Sequence, residues 1–237
     1  YWACTHTGPP VYTEEQRKMA AELEKEAADY QKYLQAHPEK DIQNFHYHDS
    51  WMELQLKRLN KIATQICKAN SFEVPKLQVH PGVVPQPFGK DARIVNAATD
   101  GSLLFVTAAM MKLLESDDEL ATVVGHELAH IHRDHISHRI MRNLPFAILL
   151  GVLDTQSPGA ADAVGLVGRV GLAEFDRDEE READIYGLVY MKNARYDYHK
   201  AANVWRRMAM LHPESSQREI YFGDSHPFHP ERLIRLQ

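Results

Sequence analysis

The sequence predicts an α+β chain, mainly helical, with a small β-sheet beside one central helix. Three observations predict it. Four long stretches carry apolar residues at helical spacing, one pair of short strand-like segments flanks a turn, and a H-E-x-x-H pentapeptide lies inside one of the helical stretches. With 237 residues, 44% hydrophobic content and no Gly/Ser-rich linker, the chain can bury one substantial core.

The first helical stretch, residues 13–35, is rich in Glu, Lys and Ala, with Met19, Leu23 and Tyr30 on one stripe. Trp51, Leu54, Leu59, Ile62 and Ile66 mark a second amphipathic helix. Residues 93–97 have strand character and precede a turn at Thr99-Asp100-Gly101, which predicts a short hairpin with residues 103–106. A third helix opens at Ser116-Asp117-Asp118-Glu119, which has the form of a capping box, and continues through Leu120, Val123, Val124, Leu128 and Ile131. Pro145 sets its outer limit, with Arg139 and Arg142 near its negative end. The fourth begins at a similar capping pattern, Asp176-Arg177-Asp178-Glu179, and stays apolar through Ile185, Leu188 and Val189.

Chemistry concentrates at His126-Glu127-Leu128-Ala129-His130 on the third helix. Residues four apart on a helix are offset by about 40°, so the two imidazoles stand side by side, one turn apart. Two such nitrogens can grip one zinc ion, with Glu127 close enough to reach water at the metal without being a ligand. The chain has 14 histidines, so this pattern has a chance expectation of roughly 0.06 occurrences and needs support from a third ligand. Glu180 and Asp184 supply it on the fourth helix, where they share a face. Glu180 is assigned to the metal and Asp184 to the free N–H of a ligating imidazole, while Glu182, rotated about 200° from Glu180, is assigned to solvent.

H-E-x-x-H followed by the E-x-x-x-D of Glu180 and Asp184 resembles the gluzincin metallopeptidases of the HtpX, Oma and BepA type, which are related to the CAAX prenyl endopeptidases. Val95-Asn96-Ala97, then residues 101–107, are similar to that family's strand along the active-site cleft; Ser225-His226-Pro227 and Glu231-Arg232-Leu233 resemble its C-terminal motifs. The resemblance covers residues 75–237 in the family's order. It implies a zincin-like fold, one zinc ion per chain, and peptide hydrolysis in which Glu127 takes the proton of the attacking water and delivers it to the leaving amine. It also implies a catalytic-site role for His226, which either stabilises the tetrahedral intermediate or occupies the open metal position as an off switch. Asn96 and Ala97 become candidate substrate-binding residues, pairing an extended polypeptide with a free strand edge.

The domain organisation expected is a tether over residues 1–12, helices over 13–70 that pack on the catalytic domain, and a zinc metallopeptidase domain over 71–237. The resemblance implies an endopeptidase of bacterial envelope quality control acting on unfolded or misassembled proteins. The alternative is a non-hydrolytic, client-binding protein with a structural or self-blocked zinc site; the intact Glu127 favours hydrolysis. A net charge of −6 with scattered basic residues argues against nucleic acid as a partner. No stretch is long and apolar enough to span a bilayer: residues 144–153 contain Pro145 and are about half the roughly 20 residues required. They are expected to pack as a helix or to cover the cleft with the Gly/Ala-rich stretch at 159–173.

Trp2-Ala3-Cys4-Thr5 is reminiscent of the end of a bacterial lipoprotein signal, so a lipid on Cys4 would anchor the protein at a membrane facing the periplasm. A disulfide between Cys4 and Cys67 is the competing reading. His132, His135 and His138, expected on the same helix as the H-E-x-x-H pair, read as interhelical hydrogen-bond partners or solvent-facing groups rather than a second metal site. His46 and His48 read as a partly exposed connector.

Overall fold

The computed structural model describes residues 13–42, 47–84, 92–139, 141 and 177–211. Cys4, His46, Arg142, Pro145, Asp176, His226 and the stretches 144–153 and 159–173 lie outside those residues, as do the expectations attached to them.

Helix α1, Glu14–Ala36, starts on a reciprocal capping box: the Thr13 hydroxyl accepts the Gln16 N–H at 3.1 Å and the Gln16 side chain accepts the Thr13 N–H at 2.8 Å. Its buried face is narrow, formed by Leu23 and Ala27. Helix α2, Asp49–Asn70, buries Leu59, Ile62, Ala63 and Ile66 and stops at Ser71, which takes a left-handed φ of 60°. Leu54 departs from its expected place and is 60% exposed. The inward stripe runs through Met52, Leu56, Leu59 and Ala63, and Leu54 lies about 140° around the helix from Leu59.

A three-stranded sheet follows, in the order β1-β5-β4: β1 is Lys76–His80, β4 Ala97–Thr99 and β5 Leu103–Thr107. The predicted hairpin forms, with β4 antiparallel to β5 and the Asp100 carboxylate accepting the N–H groups of Ser102 and Leu103 at 2.8 Å each. The single strand expected over 93–97 is instead two pieces. Ala92–Arg93 (β3) pairs with Val83–Val84 (β2), and the chain turns before Ala97 enters the main sheet. Strand β1 adds parallel to β5, its Val79 opposite Val106. Leu104 and Val106 of β5 are fully buried, so the sheet's inner face joins the main core.

Helices α3 (Ala108–Leu113) and α4 (Asp117–His132) follow, then α5 (Arg177–Asn193) and α6 (Ala201–Leu211). Thr107 caps α3 by accepting the Met110 N–H, and Ser116 caps α4 by accepting the Glu119 N–H at 3.1 Å. The reciprocal half of the α4 box differs from expectation: Glu119 accepts the Glu115 N–H at 2.7 Å, one residue outside the cap.

Helix α4 also ends sooner than expected. It stops at His132, the chain passes through Arg133 and a left-handed Asp134 (φ 57°), and residues 135–139 form a separate helical segment in which Arg139 is buried. A short Asp tolerates that conformation better than a branched residue would. Leu120, Val124 and Leu128 of α4 pack with Ile62 and Ile66 of α2 and Met191 of α5 in the main core. On α5, Ile185 and Val189 face outward, 52% and 44% exposed.

Contacts join α1 and α2 to later elements. Leu23 and Met19 of α1 meet Trp205 and Ala209 of α6, and Arg206 of α6 reaches Glu22 and Glu26 of α1. Phe72, just past α2, stacks on the His132 ring at 3.6 Å and meets Tyr190 edge-on, tying α2 to both α4 and α5. Cys67 is a free, fully buried thiol whose pKa burial raises to about 11. Among the described residues no helix is long and apolar enough to cross a membrane.

Candidate active site

Helix α4 is buried over nearly its whole length, because α2, α5, α6 and the sheet surround it. His126, Glu127 and His130 are accordingly 4%, 1% and 0% exposed. Polar groups this deeply buried require partners. For the two imidazoles helix α5 supplies them, bringing in Glu180 and Asp184, also nearly inaccessible at 2% and 4%.

The close approach of α4 and α5 depends on two glycines. A Cβ placed on Gly125 would lie 2.9 Å from the carbonyl oxygen of Gly187, and one on Gly187 would lie 3.0 Å from the backbone nitrogen of His126. Without side chains at these positions the two backbones touch. That contact sits one residue before His126 and three after Asp184, so it sets the distance across which the α5 carboxylates meet the imidazoles.

Three groups converge. His126 Nε2 and His130 Nε2 are 3.1 Å apart, Glu180 Oε2 is 3.5 Å from the first and Glu180 Oε1 is 3.2 Å from the second. Taking one donor atom from each residue, all three lie within 4.8 Å of one another, close enough to share one ion. Two neutral imidazoles and one carboxylate are also the donor set for a catalytic zinc that keeps a fourth position open. Among the described residues, this is the trio of His, Cys, Asp or Glu side chains whose donor atoms come close enough to share an ion.

Each imidazole is held from behind. Asp184 Oδ1 lies 3.1 Å from His126 Nδ1. A carboxylate there favours the proton on Nδ1 and leaves the Nε2 lone pair for the metal. His130 is backed differently: its Nδ1 is 3.0 Å from Nδ1 of His135, whose Nε2 is 3.1 Å from Glu182 Oε2. Glu182 therefore does not simply face solvent. It is about one-third exposed, and it also takes Arg133 Nε at 2.7 Å. The hydrogen bond from His135, then the Arg133 guanidinium, hold its carboxyl below the usual glutamate range against the opposing effect of burial.

A cavity opens beside the trio, lined by Glu127, His126, Asn96, Ala97, Trp205 and Met208. The structure thus brings both candidate substrate-binding residues to the same space as the Glu127 carboxylate. Strand β4 is an edge of the sheet among the described residues, and the antiparallel alternation points the backbone groups of Ala97 and Thr99 away from β5. The Ala97 N–H is engaged by the Asn96 side chain at 2.9 Å, so a pairing polypeptide would displace that bond or use the remaining groups. The far wall is apolar: Trp205 meets the His126 ring edge-on at 5.7 Å between centroids.

Residues 88–237, which include the trio, its supporting carboxylates and the cavity, match the profile of Peptidase family M48. The chain belongs to peptidase family M48. It is 32% identical to the mitochondrial metalloendopeptidase OMA1 of Arabidopsis thaliana over 167 residues, which are 69% of this chain and 31% of the relative. It is 28% identical to the protein of the same name from Saccharomyces cerevisiae over 58% of this chain and 40% of the relative. It is 26% identical to the beta-barrel assembly-enhancing protease of Escherichia coli K12 over 41% of this chain and 22% of the relative. This M48 chain therefore spans well under half the length of the curated relatives it matches.

The family assignment agrees with the zincin-like reading of the sequence and with zinc as the cofactor of the His126, His130 and Glu180 group. The parts that four residues play in the M48 site were not legible beforehand. Gly125 and Gly187 carry no chemical group, and a glycine in a helical pattern signals close packing only once its partner is known. His135 is the interhelical hydrogen-bond partner the sequence suggests, through Glu182 of α5, but its contact with His130 depends on the break in the helix at Arg133–Asp134. Trp205 sits on α6, whose apolar face reads like any other core-facing helix.

Proposed function

We propose that the protein is a zinc-dependent endopeptidase in which Glu127 is the general base. The observation that carries the proposal is the position of Glu127: nearly inaccessible to solvent, one residue from a ligand, and facing the cavity that Asn96 and Ala97 line. A zinc held by His126, His130 and Glu180 would supply Lewis acidity, polarising a scissile carbonyl and making water a stronger acid at neutral pH. The protein groups do the rest. Glu127 accepts the proton of the attacking water and returns it to the leaving amine. Asp184 holds the His126 tautomer, and the β4 edge aligns an extended polypeptide beside the carboxylate.

Backbone pairing selects for extended, unfolded chain more than for particular side chains, which supports unfolded or misassembled proteins as substrates. The beta-barrel assembly-enhancing proteases among the relatives support a place in the bacterial envelope; the anchor proposed there, a lipid on Cys4, is supported by the Trp2-Ala3-Cys4-Thr5 pattern alone. Fractionation of cells producing the full-length protein, with mass analysis of Cys4, tests that placement; an unmodified Cys4 in freely soluble protein removes the anchor. His226 is assigned to the cleft from the sequence resemblance. Faster cleavage by His226→Ala identifies an off switch, and slower cleavage identifies stabilisation of the intermediate.

Glu127→Gln tests the mechanism. Cleavage of casein or a quenched peptide library should fall by 10²–10⁴-fold, an effect on the order of that for a lost general base, while zinc content stays near one per chain. Undiminished cleavage by this variant would overturn the assignment.

A further inference from the structure

We propose that His135 and Glu182 form a positioning relay that sets the tautomer and orientation of the zinc ligand His130. The proposal rests on the zinc reading above and adds residues that act through His130 rather than on substrate. The contacts run in one line: Arg133 to Glu182, Glu182 to His135 Nε2 at 3.1 Å, and His135 Nδ1 to His130 Nδ1 at 3.0 Å. His130 Nε2 then faces the trio, 3.2 Å from Glu180.

Proton placement along this line follows from donor and acceptor chemistry. Ionised Glu182 can only accept, so the Nε2 of His135 carries a proton. In neutral His135 the Nδ1 is then a lone pair, and the hydrogen bond to His130 must be donated by His130 Nδ1–H. His130 is thereby held with an unprotonated Nε2, the form that binds a metal. The opposite arrangement, with His135 donating to His130, would leave the His130 Nε2 protonated or His130 anionic, and neither is a resting ligand. The carboxylate at the end of the line holds the proton on His135 Nε2, which in neutral His135 leaves Nδ1 to accept from His130.

The backbone is shaped for this contact. On an unbroken helix, positions five apart diverge by about 140°, which would carry His135 away from His130. The chain instead leaves the helix at Arg133 and passes through left-handed Asp134, and His135 returns to full burial with its ring nearly perpendicular to that of His130, centroids 5.0 Å apart. Arg133 grips Glu182 through two nitrogens and lies over the Tyr186 ring at 4.5 Å, which fixes the carboxylate from the outside. The two imidazole ligands are therefore oriented by different devices: His126 by a carboxylate directly, His130 by a carboxylate acting through a second histidine.

Zinc dissociation constants of the purified full chain, measured by competition with a chromogenic chelator, test the relay beside the melting temperatures of the zinc-free proteins. His135→Leu should weaken zinc binding by roughly 10–100-fold, the range for loss of a group that orients a ligand. His135→Asn, whose side-chain oxygen can accept near the Nδ1 position, should recover most of that loss. Glu182→Ala, at a position about one-third exposed, should weaken binding several-fold with little change in the zinc-free melting temperature. A purely structural role would lower the zinc-free melting temperature and spare affinity in the folded protein. Wild-type affinity in Glu182→Ala, or His135→Asn as weak as His135→Leu, would overturn the relay. Failure of the wild type itself to bind zinc would overturn the metal reading instead.

Discussion

Gly125 on α4 and Gly187 on α5 are in backbone contact, close enough that a methyl group on Gly125 would lie 2.9 Å from the Gly187 carbonyl oxygen. Alanine improves an exposed helix by up to about 1 kcal/mol over glycine. Here the added carbon meets backbone, which cannot turn aside, and overpacking of this kind costs about 1–3 kcal/mol. Gly125→Ala and Gly187→Ala should therefore lower the melting temperature and weaken zinc binding together, because the helices part next to His126 and Asp184. Differential scanning calorimetry with and without zinc checks this; a stabilised alanine variant with unchanged affinity contradicts it.

Zinc should act as a large fraction of the folded protein's stability. A ligand that binds only the native state adds about 4 kcal/mol at a free concentration 1,000 times its dissociation constant. Removing zinc with a chelator should lower the melting temperature and abolish cleavage, and restoring it should reverse both. Glu180→Gln, which replaces a charged ligand with a neutral amide, should lose most of the zinc-dependent increment. An equal increment in that variant would remove Glu180 from the ligand set.

The attachment of α1 separates two kinds of interaction. Leu23 is 1% exposed against Trp205 and Ala209, so Leu23→Ala should destabilise by about 2–5 kcal/mol. Arg206 joins Glu22 and Glu26, but all three side chains are about one-third to one-half exposed, and Arg206→Ala should cost about 1 kcal/mol or less and shrink further in salt. Urea unfolding of both variants at low and high ionic strength ranks them. A larger loss for Arg206→Ala reverses the order of contributions.

Acid should loosen the start of the metal-binding helix. The Arg58 hydrogen bond at 2.8 Å, aided by Lys61, holds the Asp117 carboxyl below its ordinary value. A depressed carboxylate contributes stability that is present above the unfolded-state pKa of about 3.9 and lost as the pH falls through the lower folded value. Wild type should thus be more stable than Arg58→Gln at neutral pH, with the gap closing below about pH 4. A gap that persists at pH 2 means that Arg58 acts through packing rather than through Asp117.

Local pattern is enough to place the candidate groups about their helix axes. Ser116 fixes where α4 begins, so the azimuths of His126, Glu127 and His130 follow from helical repeat alone, and the same repeat puts Glu180 and Asp184 on one face of α5. The amphipathic stripes of α1 and α2 and the hairpin at Asp100 were legible for the same reason: each depends on residues within a few positions of one another.

Contacts between distant segments were not legible. The parallel pairing of β1 with β5 depends on how α2 delivers the chain to the sheet, and the burial of Ile62 depends on which helix lies opposite. The turn at Arg133–Asp134 replaced an unbroken helical repeat and brought His135 to the back of His130. Periodicity encodes direction about an axis, and that much is written in the chain order of His126, His130, Glu180 and Asp184. The distance between two axes is set by the atoms that meet there, and only the folded molecule has Gly125 against Gly187 to bring the two halves of the zinc site within bonding reach.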